Sequence, residues 1–429
     1  MRSIEQRGSL ALSYKTMDID NHNNKPGEAG RQQVRVLKSA AEIEEFRNVW
    51  KGWPGHLYTD IDFFLAMAEA RKPLVEPHVT VLLSDGVPKA MAVGYIAQEV
   101  LDFKISHKSL FHARIRTISV LRGGILGDQS RETAAAMVSA LMETLQQGEA
   151  DALIIGHTPV DSEFYKLLRE KVPLLCRDHT LEIHPHWKMN VPDTMEEVYA
   201  RLSGEHRKKL RWQNRNFEKN FPGAVAVRCF KETAELEKMI RDVEEISKKT
   251  YQRSLGASFI DNELNRKRVA LEAEKGWLRM YVLYVGAKPC AYWWGASYGK
   301  TFFSEAMGFD PEYRRYSPGM YLLTKTLEDF CRSGVKDLDF GAREYHYKKQ
   351  FGDYFWNETE VFYVFAPKLW PVALNLMRTL FGGVRFLGKR VLNFCHAPGP
   401  LRKLWSRKVE KLSDKPDSNC AKGTFQPVR

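Results

Sequence analysis

The stretch TFFSEAMGFDPEYRRYSPGMYLLTKTLEDFCRSGVKDLDFG (Thr301–Gly341) decides the fold of this chain. It reads as an apolar strand, a turn with two arginines and Ser-Pro-Gly, a helix-forming run and a short strand. A helix start offers unpaired backbone N–H groups and a partial positive charge. Gly319 lets a ligand approach the backbone, and Arg314 and Arg315 add charge-assisted hydrogen bonds. The stretch predicts an anion site suited to a pyrophosphate; the alternative is a plain strand-to-helix turn with solvated arginines.

The same order of elements occurs earlier in the chain. The stretch VLLSDGVPKA (81–90) corresponds to VLYVGAKPCA (282–291), and GEADALIIG (148–156) corresponds to GVKDLDFG (334–341). Either match alone could arise by chance. Because both occur in the same order with similar separation, they predict a duplicated domain.

The two copies differ at the start of their main helix. Where the second copy has the arginine turn, the first has GGILGDQSRET (123–133), with Asp128 near the helix start. A carboxylate at that position would repel a phosphate. We therefore predict that the second copy holds the anion site and that the first is a scaffold or a substrate-binding partner.

Composition and length favour a folded, two-domain protein. The 429 residues exceed what one compact core usually holds, and 44% of them are hydrophobic. The six cysteines form no CxxC pair, which indicates reduced thiols in a cytosolic protein rather than a disulfide framework or a zinc site; no metal is expected. The chain shows neither an apolar core of signal-peptide length at its start nor a run of about 18 apolar residues, so no spanning helix is expected.

Charge and composition divide the chain into five predicted segments. These are a disordered arm over 1–32, a first domain over 33–185, a second domain over 186–366, a basic amphipathic helical segment over 367–411 and a disordered tail over 412–429.

The helical segment 367–411 carries most of the net charge. It holds ten Lys or Arg residues and one Glu, a net +9 of the +12 for the whole chain. The basic residues alternate with strongly apolar ones, a composition typical of a helix that lies on an anionic membrane. The alternative is a helix packed on the second domain with its arginines outward.

Four stretches of the second half resemble the CelD/BioF2-like acetyltransferase family, within the GNAT superfamily and related to the tandem-domain FemAB-type transferases. They are SGEHRKKLRWQNRNFEK (203–219), GWLRMYVLYVGAKPCAYWWGASYGKTFF (276–303), MGFDPEYRRYSPGMYLL (307–323) and DLDFGAREYHYKKQFGD (337–353). The less distinctive VLRGGILGD (120–128) resembles the family's first half. The resemblance implies an α/β (α+β) fold with two tandem GNAT-like domains. Each would be a mixed, largely antiparallel sheet flanked by helices, with a C-terminal helical extension after the second.

The resemblance also implies the acyl donor and its site. The co-substrate would be acetyl-CoA or another acyl-CoA. Its pyrophosphate would be bound by the turn residues, namely Arg314, Arg315, Tyr316, Ser317, Pro318, Gly319 and Met320. Because Pro318 has no N–H, this turn offers one donor fewer than the superfamily's usual turn.

Direct acyl transfer to an amine needs a base for the amine proton, donors for the thioester oxygen and an acid for the leaving thiolate. Glu305, in the middle of an apolar strand, is the candidate base, or else a solvated or structural carboxylate. Asp339 lies at a strand end, where it either takes part in the site or caps the following turn. Tyr347 is the candidate acid. Lys348, at the family's usual lysine position, would bind an acidic group of the substrate or the acyl donor.

The candidates for binding the acceptor lie on a basic helix and just after the next one. Arg207 and Arg211, in HRKKLRWQNRNFEKNF (206–221), either face the cleft and select an anionic acceptor or belong to a solvated face. Tyr251 and Arg253 are weaker candidates for the same site.

We therefore expect an N-acyltransferase that uses acetyl-CoA and acylates an amine of a small molecule or sugar precursor in surface-polysaccharide or envelope metabolism. The polysaccharide link rests on the resemblance. We expect it to be cytoplasmic and to touch the inner face of the membrane through 367–411. One alternative is a FemAB-like transferase that uses aminoacyl-tRNA; otherwise no nucleic acid partner is expected. A second is a non-catalytic GNAT-like module that anchors an assembly at the membrane.

Overall fold

The computed structural model describes residues 17–18, 32–105, 108–254 and 256–394. The predicted tail over 412–429 and most of the predicted arm over 1–32 lie outside these residues. Within the arm, Met17–Asp18 form a short strand that pairs with residues 33–34.

The strands and helices of the first half, in chain order, are β1 (Met17–Asp18), β2 (Gln32–Leu37), α1 (Ala40–Glu44), α2 (Arg47–Gly52), α3 (Ile61–Ala70), β3 (Val75–Ser84), β4 (Val87–Ile105), β5 (Lys108–Gly127), α4 (Arg131–Gln146), β6 (Ala152–Pro159), α5 (Glu163–Lys171) and β7 (Ile183–Asn190).

Those of the second half are α6 (Met195–Arg201), α7 (Gly204–Asn220), β8 (Val225–Phe230), α8 (Leu236–Ser247), α9 (Tyr251–Ser254), α10 (Glu263–Glu274), β9 (Leu278–Val285), β10 (Lys288–Tyr298), β11 (Thr301–Phe309), α11 (Pro318–Ser333), β12 (Asp337–Ala342), α12 (His346–Phe351) and β13 (Tyr354–Phe365), followed by α13 (Leu369–Phe394).

All these strands join one mixed sheet, whose two halves have the same topology. In the first half β2 to β5 are antiparallel and β6 runs parallel to β5; in the second β8 to β11 are antiparallel and β12 runs parallel to β11. The predicted α/β fold with two tandem, largely antiparallel halves is confirmed.

The two halves exchange their last strands at the centre of the sheet. Strand β13 of the second half pairs with β6 of the first, β7 of the first pairs with β12 of the second, and β7 and β13 pair with each other. The domain boundary predicted between residues 185 and 186 therefore falls inside β7. Neither half completes its sheet without a strand from the other.

Helix α11 and the strands beneath it form the core that supports the second half. Trp293, Phe302 and Phe330 are buried with ring centroids 4.6 to 6.2 Å apart. Burial of each such ring contributes on the order of 2–3 kcal/mol. The helix ends at Gly334, whose left-handed conformation favours glycine.

Helix α13 packs on the first half and also contacts β13 of the second half, where the Arg378 guanidinium lies 4.0 Å from the centroid of the Tyr363 ring. Leu374 is buried, and the Asn375 side chain donates to the carbonyls of Leu175 and Arg177 at 2.9 and 2.8 Å. Arg378 points inward and pairs with Asp178 at 2.9 Å. The predicted segment 367–411 continues beyond the described residues. Among those described, no helix combines the length and the apolar character needed to cross a membrane.

Candidate active site

Strands β11 and β12 separate soon after they meet, and this opens the sheet of the second half. They pair in parallel only from Thr301 with Asp337 to Phe303 with Asp339. Just beyond, β11 carries a bulge on its other edge, because Trp294 pairs with Ala306 and Gly295 pairs with Ser304. Glu305 is the extra residue of this bulge. A bulge redirects the side chains around it, so the bulge sets the direction of Glu305 beside the opening.

A cavity of about 380 Å³ lies at the wide end of this opening. Its walls come from β10, β11, the start of α11 and the segment that leads into α12. The lining residues are Gln252, Tyr292, Trp293, Met307, Gly308, Phe309, Arg314, Ser317, Pro318, Gly319, Met320, Leu322, Leu323, Tyr345 and Tyr347. An apolar lining with polar groups at the helix start suits a ligand with a thin apolar arm and an anionic end.

The start of α11 is open toward this cavity. Its N-cap residue, Ser317, adopts a left-handed conformation (φ 58°, ψ 50°), and its side chain does not cap the helix. Instead, the Ser317 hydroxyl accepts a hydrogen bond from Gln213 of α7 at 3.1 Å. Pro318 occupies the first helical position, and no described residue accepts a hydrogen bond from the Gly319 N–H that follows. The Gly319 N–H is therefore a donor that an anion can use.

The corresponding helix of the first half is closed by its own side chains. Ser130 caps α4 by accepting from the Thr133 N–H, and Asp128 accepts from the Ser130 N–H at 3.0 Å and from its hydroxyl at 2.7 Å. Hydrogen bonds from Thr133 and Ser130 hold the pKa of Asp128 below its usual value. A negative charge already occupies this helix start, as the sequence contrast between the two halves predicts.

The two arginines of the turn lie in different places. Arg314 lines the cavity, whereas the guanidinium of Arg315 lies over the ring of Tyr316, 4.6 Å from its centroid. Tyr316 in turn packs edge-on against Phe221. Of the seven residues predicted to bind the donor, Arg314, Ser317, Pro318, Gly319 and Met320 line the cavity, while Arg315 and Tyr316 do not.

Glu305 is held by two side chains that the sequence analysis missed. The Tyr58 hydroxyl, from the first half, lies 2.6 and 2.5 Å from its two carboxylate oxygens, and Arg268 of α10 pairs with it at 3.0 Å. Only 7% of the Glu305 side chain is exposed. Tyr58 is 247 residues away along the chain, so no local pattern could have indicated the contact. A role for Glu305 as base stays a prediction.

Asp339 is buried at the point where β12 leaves β11. Its Oδ1 accepts from the Gly341 N–H at 2.8 Å and lies 2.7 Å from His186 Nε2. Burial raises the pKa of Asp339, but the hydrogen bond and charge of His186 and the charge of Arg122 lower it more, and the net pKa is well below the usual value. Asp339 therefore stabilises the turn after β12, as one sequence interpretation expected, and it also belongs to a larger polar network.

That network joins the two halves and was not found from the sequence. His186 of β7 stacks on Trp356 of β13 at 4.1 Å, and its Nδ1 lies 3.0 Å from Glu358 Oε2. Arg122 of β5 reaches the same ring, with Nη2 2.7 Å from His186 Nδ1. His157 of β6 lies 2.7 Å from Glu358. The network exists because the exchanged strands β7 and β13 bring both halves together here.

Tyr347 and Lys348 are adjacent in sequence but differ in environment. Tyr347 lines the cavity, next to Tyr345. Lys348 is buried, and its ammonium donates to the carbonyls of Ala342 and Gly341 at 2.7 and 3.2 Å. Burial, with the charge of Arg122, lowers its pKa to about 7. The Lys348 ammonium therefore holds the β12 turn, and its binding to an acidic group of the substrate or to the acyl donor stays a prediction.

Four of the residues predicted to bind the acceptor or an acidic group line neither this cavity nor the small one beside α7, namely Arg207, Arg211, Arg253 and Lys348. Arg211 lies over the ring of Tyr199, and the face of α7 toward α11 carries His206, Leu210 and Gln213, not Arg207 and Arg211. Arg253 pairs with Glu244 and donates to the Phe259 carbonyl, a structural role. The Tyr251 side chain lies outside the described residues.

A group of three potential metal ligands, which the sequence did not predict, lies on β7, on the residue before it and on β13. Ligand atoms of Glu182, His184 and Glu360 lie within 4.8 Å of one another. Arg343 donates to both oxygens of Glu360, at 2.9 and 2.6 Å, so a cation already neutralises this carboxylate.

Residues 204–349 match the family model described as an acetyltransferase (GNAT) domain. The match spans 146 of the 429 residues and includes the open helix start, Glu305, Asp339 and Tyr347. It indicates a transferase with a GNAT-type acyltransferase domain in its second half. The finer assignment to the CelD/BioF2-like family stays a prediction.

Comparison with solved structures finds similar chains at low sequence identity. The crystal structure of FemX matches with a TM-score of 0.50 at 12% identity and covers 77% of this chain and 97% of that one. A tandem GNAT protein from the clavulanic acid biosynthesis pathway matches with a TM-score of 0.46 at 12% identity, covering 78% and 99%. L-PGS from Bacillus licheniformis matches with a TM-score of 0.46 at 10% identity, covering 81% and 97%. No curated protein matches this sequence.

Proposed function

We propose that this chain is an N-acyltransferase that binds an acyl-CoA, acetyl-CoA first of all, in the cavity at the start of α11. The observation that carries the proposal is the open end of α11 at the head of a cavity beside β11, near the place where β11 and β12 separate. The equivalent helix of the first half, α4, is closed by Asp128. A helix start that is left uncapped, has a free N–H at Gly319 and lies beside Arg314 is suited to a pyrophosphate.

The apolar part of the cavity suits the arm of the donor. Beyond Phe303, β11 has lost its partner on the β12 side, so its backbone groups there are free to pair with an extended ligand. Met307, Gly308 and Phe309 form that edge of the cavity. A backbone N–H of this edge would hold the thioester oxygen, where negative charge develops during the transfer.

The reaction is a direct transfer. The amine attacks the thioester carbon, the C–N bond forms and the C–S bond breaks. Glu305 takes the proton of the amine and Tyr347 protonates the leaving thiolate. Tyr58 and Arg268 orient the Glu305 carboxylate through their contacts of 2.5 to 3.0 Å.

The acceptor and the location of the protein follow from the family resemblance. We propose an amine of a small molecule or sugar precursor in surface-polysaccharide or envelope metabolism. We also propose cytoplasmic function in contact with the inner face of the membrane through 367–411. Transfer from aminoacyl-tRNA and a non-catalytic anchoring role are the competing functions.

The donor site is tested by thermal unfolding with and without acetyl-CoA, on the wild type, Gly319→Asp and Arg314→Glu. A Cβ at Gly319 would meet only the Phe309 ring, at 3.7 Å, so the aspartate fits. Because a negative charge is favourable near a helix start, the aspartate at 319 should stabilise the unliganded protein by about 0.3–1 kcal/mol. The same charge should repel the pyrophosphate. We expect both variants to lose the shift that acetyl-CoA gives the wild type.

Arg315→Glu is the matched control, since Arg315 lies over Tyr316 outside the cavity and should keep most of the shift. An equal acetyl-CoA shift in the wild type and in Gly319→Asp would disprove the proposed site. Stabilisation by charged tRNA, with no effect of acetyl-CoA, would favour the aminoacyl-tRNA reaction. Binding of neither would favour the anchoring role.

A further inference from the structure

The two halves carry corresponding side chains at corresponding openings. In the first half, the parallel pairing of β5 and β6 ends at Val120 with Ile155, and Arg122 follows two residues later. In the second half, the pairing of β11 and β12 ends at Phe303, and Glu305 follows two residues later. Both lie in bulges, because the register of β5 against β4 also shifts beside Arg122. Arg122 is therefore the counterpart of Glu305.

Arg122 reaches from its own half into the opening of the other. Its Nη2 lies 2.7 Å from His186 Nδ1, on the strand that pairs with β12. A Cβ built on Gly341 of β12 would lie 4.0 Å from both of its terminal nitrogens. The cation of the first half thus lies at the edge of the opening that holds Glu305 and Asp339.

Half of the guanidinium is anchored and half is not. Nη2 has its partners at His186, and the nearest carboxylate oxygen, of Glu358, is 3.9 Å away. No described residue accepts a hydrogen bond from Nε or Nη1 of Arg122. The side chain is 19% exposed, so a ligand can reach it. An Arg presents five N–H donors in a rigid fork that matches a carboxylate or phosphate. The free side of the fork is open to a ligand.

The neighbouring carboxylates are already engaged. Asp339 accepts from the Gly341 N–H and faces His186, and Glu358 faces His157 and His186. The guanidinium is half-buried and its ion pair with Glu358 is long, at 3.9 Å, so an anionic ligand can serve as a closer counterion. Gly123, the residue after Arg122, lies against His56, whose ring is 4.9 Å from that of Tyr58, the residue that contacts Glu305.

We propose that Arg122 binds an anionic group of the acceptor, a carboxylate or a phosphate, and thereby holds its amine toward Glu305. The inference rests on the proposed function and assigns the acceptor a chemical class: an amine that carries a negative charge nearby. The first half has no open helix start and so binds no donor of its own. Under this proposal it still takes a direct part in the site, because its Arg122 touches the acceptor.

The test compares an amine without an anionic group, glucosamine, with two that carry one, glucosamine 6-phosphate and 2-amino-2-deoxygluconate. Binding to the protein loaded with CoA, which has no acyl group to transfer, is measured by calorimetry, with inorganic phosphate as a fourth probe. We expect the phosphate or the carboxylate probe to bind more tightly than glucosamine. Arg122→Gln should weaken that binding about 10- to 100-fold, the range for a lost hydrogen bond to a charged group. Arg114→Gln, exposed on the same strand, should leave it unchanged.

Two further measurements, on Arg122→Lys and with a chemical probe, keep the test decisive if the Arg122→Gln variant does not fold. The Lys variant keeps the charge but loses the fork, so it should fold and bind weakly. In the wild type, the bound anion should protect Arg122 from phenylglyoxal, as measured by mass spectrometry. The proposal fails if no anionic probe binds the wild type at millimolar concentration, or if Arg122→Gln binds it equally well. Retained acetyl-CoA binding in the Arg122 variants separates this failure from failure of the donor site.

Discussion

Asp339 is the residue on which the polar network between the halves converges. It accepts from the Gly341 N–H, lies 2.7 Å from His186 and is 3.8 Å from the Lys188 ammonium. Such a carboxylate stabilises the fold only while it is ionised.

The charge of Asp339 predicts how stability depends on pH. Its pKa is held below the usual 3.8, so the charged form stabilises the folded protein above that pH and the contribution is lost as the pH falls further. We expect Asp339→Asn to be less stable than the wild type at pH 7 and to lose less stability between pH 5 and pH 3. The measurement is the free energy of unfolding in urea across this range.

Glu76→Gln, which removes an exposed carboxylate of β3, is the control and should leave the pH dependence nearly as in the wild type. If Asp339→Asn follows the wild-type pH dependence throughout, the pKa of Asp339 is not lowered in the folded protein and the prediction is wrong.

At the scale of elements, α13 has an outer face that packs against none of the described residues. Leu376, Leu380 and Leu387 are 48%, 65% and 61% exposed and share that face, while Leu374 and Arg378 point to the first half. The segment 367–411 carries a net charge of +9 in the sequence. An apolar stripe within a basic segment matches an anionic membrane surface, which attracts the charge and takes up the leucines.

We expect the protein to sediment with vesicles that contain phosphatidylglycerol and to bind neutral vesicles more weakly. Burial of each half-exposed leucine is worth about 1 kcal/mol, so Leu376→Glu with Leu380→Glu should weaken binding at least tenfold. Leu74→Glu, at a leucine 59% exposed before β3, is the control. Equal binding by the double variant would contradict the membrane contact. Loss of a dimer in that variant would instead identify a second copy as the partner.

At the scale of the molecule, the exchange of β7 and β13 joins the halves into one folding unit. The outer edge of β6 pairs with β13 of the second half, and the outer edge of β12 pairs with β7 of the first half. Tyr58 and Arg122 then cross the same boundary with side-chain contacts. Destabilisation of one half should therefore increase the solvent exposure of backbone amides in the other half as well.

Cavity variants test this coupling. Leu141 of α4 and Leu327 of α11 are buried in separate cores, and replacement by Ala should cost about 2–5 kcal/mol in either place. We expect each variant to speed hydrogen exchange in both α4 and α11, measured by mass spectrometry. Faster exchange confined to the substituted half would mean that the halves unfold independently.

The sequence by itself determined the local order of this protein: the duplicated run of strands, the helix after the arginine turn and the contrast between Asp128 and that turn. These local features depend on hydrophobic periodicity, helix starts and turns, which are determined by residues close together in the sequence. Only the tertiary structure decided which strands exchange, that Tyr58 and Arg268 hold Glu305, that Lys348 is buried on carbonyls and that Arg122 enters the opposite opening. The reason is that these contacts join residues far apart in the chain, and local patterning carries no information about the partner of a long-range strand or charge.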